Sequence, residues 1–311
     1  MKQITNNIVM IRPVNFRMNE ETAVNNFFQK SSKEDANTIT EKAQEEFDDF
    51  VTKLRQVGVH VTVIDDNADN NTPDSVFPNN WISFHQNGNI ALYPMFAENR
   101  RKERRENVFK ILEKDGFQIN NVVDYTSAEE DDVFLEGTGS LILDRQNEKV
   151  YCALSERADE ALLIEFCEEF GYLPIIFRAY QSVQEKREII YHTNVMMCIA
   201  EEFAVICTDC IDDKKERKTV LKSLEDDRKE IIKISEGQLH EFAGNMLQVQ
   251  GADDKKYLVM SRRAHQSLTP NQISAIERHC EILSSNLQTI ETLGGGSARC
   301  MIAENFLPKT S

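Results

Sequence analysis

Positive charge is in short supply in this chain. Its 311 residues carry 36 Lys and Arg against 52 Asp and Glu, a formal net charge of -16 at pH 7. Such a balance repels phosphate backbones and anionic lipid surfaces rather than recruiting them. Nucleic acid and membrane are therefore not expected as partners. Long apolar runs are missing too: no stretch approaches the ~20 residues that cross a bilayer, and the opening MKQITNNIVMIRP lacks the apolar core of a signal peptide. These absences point to a cytoplasmic protein. Cysteine is limited to 7 residues. An odd number, scattered and mostly inside apolar stretches, suits reduced buried thiols and argues against a disulfide framework. Cys207 and Cys210 form one CxxC in ICTDC, but without a second pair or a nearby His it does not make a zinc site. Neither a metal nor a cofactor is expected.

What the chain does have is 41% hydrophobic residues, enough for a sizeable core. Short apolar segments read as strands: NNIVMIRP, WISFH then NIALYPM, SLILD then KVYCALS, NVMMCIA then FAVICT, and MLQVQ then KYLVMS. Between them, ENVFKILEKDGF, DEALLIEFCEEFGY and KTVLKSLEDDRKEI place apolar residues at three- and four-residue spacing, the mark of amphipathic helices. Asn87-Gly88 and the polar segment Arg145-Gln146-Asn147 read as hairpin turns. The charged stretches ENRRKERREN and DDKKERKTVLKSLEDDRKE read as solvated helix faces, except for one arginine of the first.

A repeat emerges when one polar position is followed from strand to strand. Asn80 precedes WISF, Glu136 with its GTG precedes SLIL, and His192 with its TN precedes VMMC, at intervals of 56 residues. An AGN at 243–245 then precedes MLQV, and Cys300 precedes MIA. Equal spacing marks equivalent places in successive modules. About five ββαβ-like units closed into a ring bring those places to one axis. The expected fold is thus an α/β propeller of five modules around a pseudo-fivefold axis, formed by one domain spanning 1–311.

At that axis meet an Asn, a Glu, a His and a Cys. Cys with His makes a nucleophile, because the imidazole takes the thiol proton and the thiolate attacks where the thiol does not. A carboxylate beside them can hold the substrate and orient the imidazole. Singly, Cys300 reads more readily as a small core residue and His192 as a satisfied strand histidine. Their common register is what favours catalysis.

These residues resemble a known family. TPDSVFPNN is similar to the PDxxF motif of dimethylarginine hydrolases and arginine deiminases, LEGTGS to their LEGGD, YHTN to their histidine segment, and GGGSARCM to their Gly-rich catalytic cysteine motif. From about Pro73 to Cys300 the chain resembles the guanidino-modifying, amidinotransferase superfamily with the pentein fold. The resemblance implies Cys300 as nucleophile, His192 as general acid and base, and Glu136 as the carboxylate on the substrate nitrogens. It implies Arg157, in ALSERAD, as the grip on a substrate α-carboxylate. Arg105 in ERREN takes the place of a second carboxylate-binding arginine, with Arg101 and Arg104 as alternatives. Asp74 would face the α-amino group. The partner implied is a small-molecule amino-acid substrate, and a homodimer is compatible with the family.

The chain departs from the family at two points. Asn80 and Asn194 stand where arginine-processing relatives place aspartates. A guanidinium offers only donors and suits carboxylates, whereas a neutral ureido group presents a carbonyl acceptor beside N–H donors, which amides match. The departure favours hydrolysis of the ureido carbon of citrulline to ornithine, ammonia and carbon dioxide, with Asn80 and Asn194 in the substrate site. Arginine deiminase or dihydrolase, amidino transfer, and a non-catalytic pentein binding module remain as alternatives. A binding module has no need of Cys300, His192 and Glu136 in register.

Overall fold

The computed structural model describes residues 1–309. Five of its sheets share one plan of three strands, in which a central strand pairs antiparallel on one side and parallel on the other. Strand β1 (Asn7–Arg12) is central to the first sheet, parallel to β2 (His60–Asp65). The second sheet holds β3 (Ile82–Phe84), β4 (Asn89–Leu92) and β5 (Asn121–Asp124), and the third β6 (Ile142–Asp144), β7 (Lys149–Ala153) and β8 (Leu173–Phe177). A two-stranded hairpin follows, β9 (Tyr180–Val183) with β10 (Lys186–Ile189). The fourth three-stranded sheet holds β11 (Met197–Ile199), β12 (Phe203–Ile206) and β13 (Glu230–Lys233). The fifth holds β14 (Leu247–Gln250), β15 (Lys256–Ser261) and β16 (Glu281–Ser285). Finally β17 (Ala303–Glu304) returns to pair antiparallel with β1, so the two ends of the described chain complete one sheet.

The local reasons are plain. Inner strands such as β12, FAVI, are buried at every residue, and a strand covered on both faces reads as an unbroken apolar run. Parallel outer strands need a crossover, and helices supply it. Helix Glu160–Phe170 links β7 to β8, and Lys214–Asp226 links β12 to β13. The first crossover, Ala36–Gln56, begins where the Asp35 side chain accepts the Thr38 amide hydrogen bond. Its inward stripe of Ile39, Ala43, Phe47, Phe50 and Leu54 recurs every three or four residues and is buried against β1 and β2.

One expectation needs correction, and one element went unread. ENRRKERREN is not a solvated helix: only Glu98–Arg101 and the final Asn107, which opens the next helix, are helical, and Arg100 is buried at 2% exposure, drawn in by Glu103, Asn80 and backbone carbonyls. The β9–β10 hairpin carries no apolar run, because most of β10 is exposed, and so left no core signature in the sequence. No helix is long and apolar enough to cross a membrane among the described residues.

Candidate active site

Each of the register-equivalent polar residues sits on the short turn that enters the antiparallel strand of its sheet. Asn80 ends the turn Pro78–Asn80 before β3, Glu136 precedes the turn Gly137–Ser140 before β6, and His192 precedes the turn Thr193–Val195 before β11. Asn245 lies just ahead of β14 and Cys300 just ahead of β17. The turns pack against one another closely enough that a Cβ added to Gly139 would stand 2.3 Å from Asn80 Nδ2 and 2.9 Å from His192 Nδ1. Any larger residue there would push the Asn80 and His192 side chains apart.

Glu136 is the electrostatic centre. One carboxylate oxygen accepts the Phe96 amide at 3.0 Å; the other receives His192 Nε2 at 2.7 Å and faces Arg157 Nη1 at 3.5 Å. Burial alone would raise its pKa, but Arg157, the His192 hydrogen bond and Arg100 outweigh that and hold it down to about 2. The anion must therefore accept, so His192 carries its proton on Nε2 and leaves Nδ1 as a free base. Burial, reinforced by Arg157 and Arg100 against the pull of Glu136, lowers the imidazole to about 4. At neutral pH this histidine is uncharged.

Cys300 accepts two amide donors, Asn245 Nδ2 at 3.2 Å and Asn194 Nδ2 at 3.4 Å. Burial raises the thiol, while the Ser297 backbone and both asparagines pull it back. Because Asn194 lies two residues past His192, the turn that carries the imidazole also touches the Cys300 sulfur. Tyr191 fastens that turn to the Gly-rich loop through its hydroxyl on the Gly295 carbonyl, 2.8 Å.

Arg157 and Asp74 lie alongside. Arg157 is buried, stacks on Tyr191 and Phe96, and donates to the Thr22 carbonyl at 3.1 Å and to the Asn25 side-chain oxygen. Asp74 accepts from Asn19 Nδ2 at 2.8 Å and Thr22 Oγ1 at 3.1 Å, and burial raises its carboxyl despite Arg100. The segment between β1 and the first helix thus lays its own acceptors on the arginine and its own donors on the aspartate. Cys300, His192 and Asn80 are each 3% exposed or less beneath it. A surface cavity of about 560 Å³ lies elsewhere, against Val14, Phe16, Thr40 and Asn71.

Arg105 does not belong to this cluster. It pairs with Asp66 and donates to the Asp65 carbonyl at 2.8 Å, while Arg101 and Arg104 both turn to Glu129. The arginine that enters is Arg100, whose Nη1 donates to Asn80 Oδ1 at 2.8 Å and whose guanidinium lies 4.0 Å from Asp74. Nothing in the sequence separates it from its basic neighbours; the short helix Glu98–Arg101 buries Arg100 and leaves Arg101 partly exposed. Asn245 was legible as a repeat position but not as a partner of the cysteine.

Over residues 12–307 the sequence matches the family model of N,N dimethylarginine dimethylhydrolase, eukaryotic. The chain belongs to this dimethylarginine dimethylhydrolase family. It is accordingly a hydrolase of the guanidino-modifying pentein superfamily, with a mixed α/β fold. No curated protein sequence matches it. Among solved structures, the apo form of ArgZ, an arginine dihydrolase from the ornithine–ammonia cycle in cyanobacteria, superposes with a TM-score of 0.73 at 16% identity, over 98% of this chain and 41% of that one. AgrE in binary complex with L-arginine does so equally, with a TM-score of 0.73 at 16% identity, over 98% and 41%. This chain thus spans well under half the length of those two proteins. A dimethylarginine dimethylaminohydrolase adduct with S-methyl-L-thiocitrulline gives a TM-score of 0.64 at 13% identity, over 97% of this chain and 99% of that one. At such identities the likeness carries the fold alone.

Proposed function

We propose that this dimethylhydrolase-family protein is a cysteine-dependent hydrolase of the ureido carbon of a free amino acid, with citrulline as substrate and ornithine, ammonia and carbon dioxide as products. The carrying observation is the orientation of Asn80. Arg100 can only donate, so it claims the Asn80 oxygen and turns the amide nitrogen inward. That nitrogen is buried without a partner, beside His192. An unpaired buried donor calls for a carbonyl acceptor, and a ureido group has one whereas a guanidinium has none. Asn194 Oδ1, also buried and unpaired, is the complementary acceptor for the ureido NH2.

In this reading the Cys300 sulfur attacks the ureido carbon and its proton passes to His192 Nδ1. The Asn80 amide meets the charge that develops on the ureido oxygen. Collapse expels the ornithine nitrogen, which takes the proton from His192, and leaves an S-carbamoyl cysteine. Water, deprotonated by the same imidazole, releases carbamate, which decays to ammonia and carbon dioxide. Glu136 keeps the imidazole tautomer fixed throughout. Arg157 and Asp74 receive the substrate carboxylate and ammonium as Asn25, Thr22 and Asn19 give way. We read the five equivalent sheets as five ββαβ-like modules of a single pentein domain about a pseudo-fivefold axis, a reading supported by their common antiparallel-then-parallel pairing.

A second reading, hydrolysis of arginine or a methylated arginine, draws on the family itself and on the anionic Glu136 as a guanidinium acceptor. The deciding experiment incubates the protein with citrulline, arginine and N,N-dimethylarginine and quantifies ornithine, citrulline, ammonia and dimethylamine. Ornithine from citrulline supports the first reading. Turnover of a guanidino substrate with none of citrulline overturns it.

A further inference from the structure

With Cys300 as the nucleophile, what stabilises its thiolate becomes the open question. In many thiol enzymes an imidazolium does so. Here the resting His192 gives its one N–H to Glu136 and is neutral at pH 7, so no imidazolium faces the sulfur before its proton is transferred. Two neutral amides face it instead, beside the Ser297 backbone, with the Arg299 guanidinium adding a weaker attraction.

We propose that Asn245 is a catalytic residue of this enzyme, its side-chain N–H stabilising the Cys300 thiolate as the proton leaves for His192, together with the N–H of Asn194. The proposal rests on the reading of Cys300 as nucleophile. The orientation of the amide is fixed by its surroundings. Arg299 N can only donate and lies 3.0 Å from Asn245 Oδ1, so Nδ2 is the atom that faces the sulfur at 3.2 Å. The second Nδ2 hydrogen goes to the Asn194 carbonyl at 3.0 Å. Both hydrogens and the oxygen of this buried amide are therefore engaged. One bond holds the loop ahead of the cysteine, one the turn that carries Asn194, and one the sulfur itself. A donor that points at sulfur gains little from a neutral thiol and much from an anion. The close approach is built into the backbone: a Cβ on Gly244 would stand 2.3 Å from the Val195 carbonyl, so glycine there lets the Asn245 strand entry press against the His192 turn.

The test is the ionisation of Cys300, followed through its rate of alkylation by iodoacetamide across pH and read by mass spectrometry of the Cys300 peptide. Two variants are compared with wild type. Asn245→Asp keeps the acceptor for Arg299 N and replaces the N–H with an anionic oxygen; Asn245→Ala removes both. Loss of one charge-assisted donor should raise the thiol midpoint by about one to two pH units. It should lower kcat at neutral pH by a similar factor of about ten to a hundred, with a smaller change in KM. A wild-type midpoint in either folded variant overturns the proposal, since a purely structural asparagine would alter stability and leave the thiol alone. Should both variants fail to fold, the wild-type protein still decides it. The Asn245 side-chain amide resonances, assigned with ¹⁵N labelling, should titrate with the thiol and cease to do so in Cys300→Ala; resonances indifferent to pH overturn the assignment. Turnover retained by Cys300→Ser removes the nucleophile reading and this proposal together, whereas a dead Cys300→Ser with an unmoved midpoint removes this proposal alone.

Discussion

Replacing Asn80 with Asp changes one atom's chemistry and almost nothing of its shape. In wild type the Asn80 oxygen is occupied by Arg100 at 2.8 Å and the nitrogen is the unpaired group beside His192. In Asn80→Asp one carboxylate oxygen keeps the Arg100 contact and the other takes the place of the nitrogen. A ureido oxygen would then meet lone pairs instead of a donor. A guanidinium would gain an anionic acceptor. Hydrogen bonds to a charged partner are worth about 1.5–3 kcal/mol, and 1.4 kcal/mol is a tenfold change in an equilibrium constant. Arg100 neutralises part of the new charge, which argues for the lower end. The expected result is a fall of about tenfold in kcat/KM for citrulline and a rise of similar size for arginine, a shift of the ratio on the order of a hundredfold. Steady-state kinetics of both proteins on both substrates measure it. A ratio unchanged within a factor of about two would mean that Asn80 is a turn residue, for which Asp serves as well, and the preference for a neutral substrate would lose its support.

Other consequences are as direct. Cys300→Ser and His192→Ala should each lower turnover by at least about a hundredfold with the fold intact by circular dichroism. Arg157→Ala should raise KM for α-amino acids far more than for a ureido compound without the carboxylate; equal losses on both would make Arg157 structural. Burial pushes the Glu291 carboxyl up to about 7, and its partner is the Ser297 hydroxyl at 2.6 Å, in the loop before Cys300. A folded-state pKa above the unfolded value contributes stability that is whole below about pH 4.5 and is lost as pH rises through about 7. Glu291→Gln should therefore raise the melting temperature at pH 8 more than at pH 5, and an equal change at both would refute the assignment. Phe47→Ala, in the fully buried stripe of the first helix, should cost about 3–5 kcal/mol in chemical denaturation.

Much of the architecture follows from local pattern. Short unbroken apolar runs such as FAVI fit strands covered on both faces, and the interval of 56 residues from Asn80 to Glu136 to His192 matches the recurring turn ahead of the antiparallel strand in three successive sheets. Cys300, His192 and Glu136 were legible because they share that register and sit in family-like motifs. Asn194 was legible as a departure from them. Tertiary structure alone decided the rest. Arg100 and Arg105 are indistinguishable within a run of basic residues, yet one backbone turn buries the first against Asn80 and leaves the second to Asp66. The segment from Asn19 to Asn25 has no periodicity or motif, because what it does is fill hydrogen-bonding positions on Asp74 and Arg157, partners 55 and 132 residues away. The direction in which the Asn80 and Asn245 amides point is also outside the reach of sequence. An asparagine carries a donor and an acceptor on one symmetric-looking group, and only a neighbour that can do nothing but donate, Arg100 in one case and the Arg299 amide in the other, fixes which end faces the chemistry.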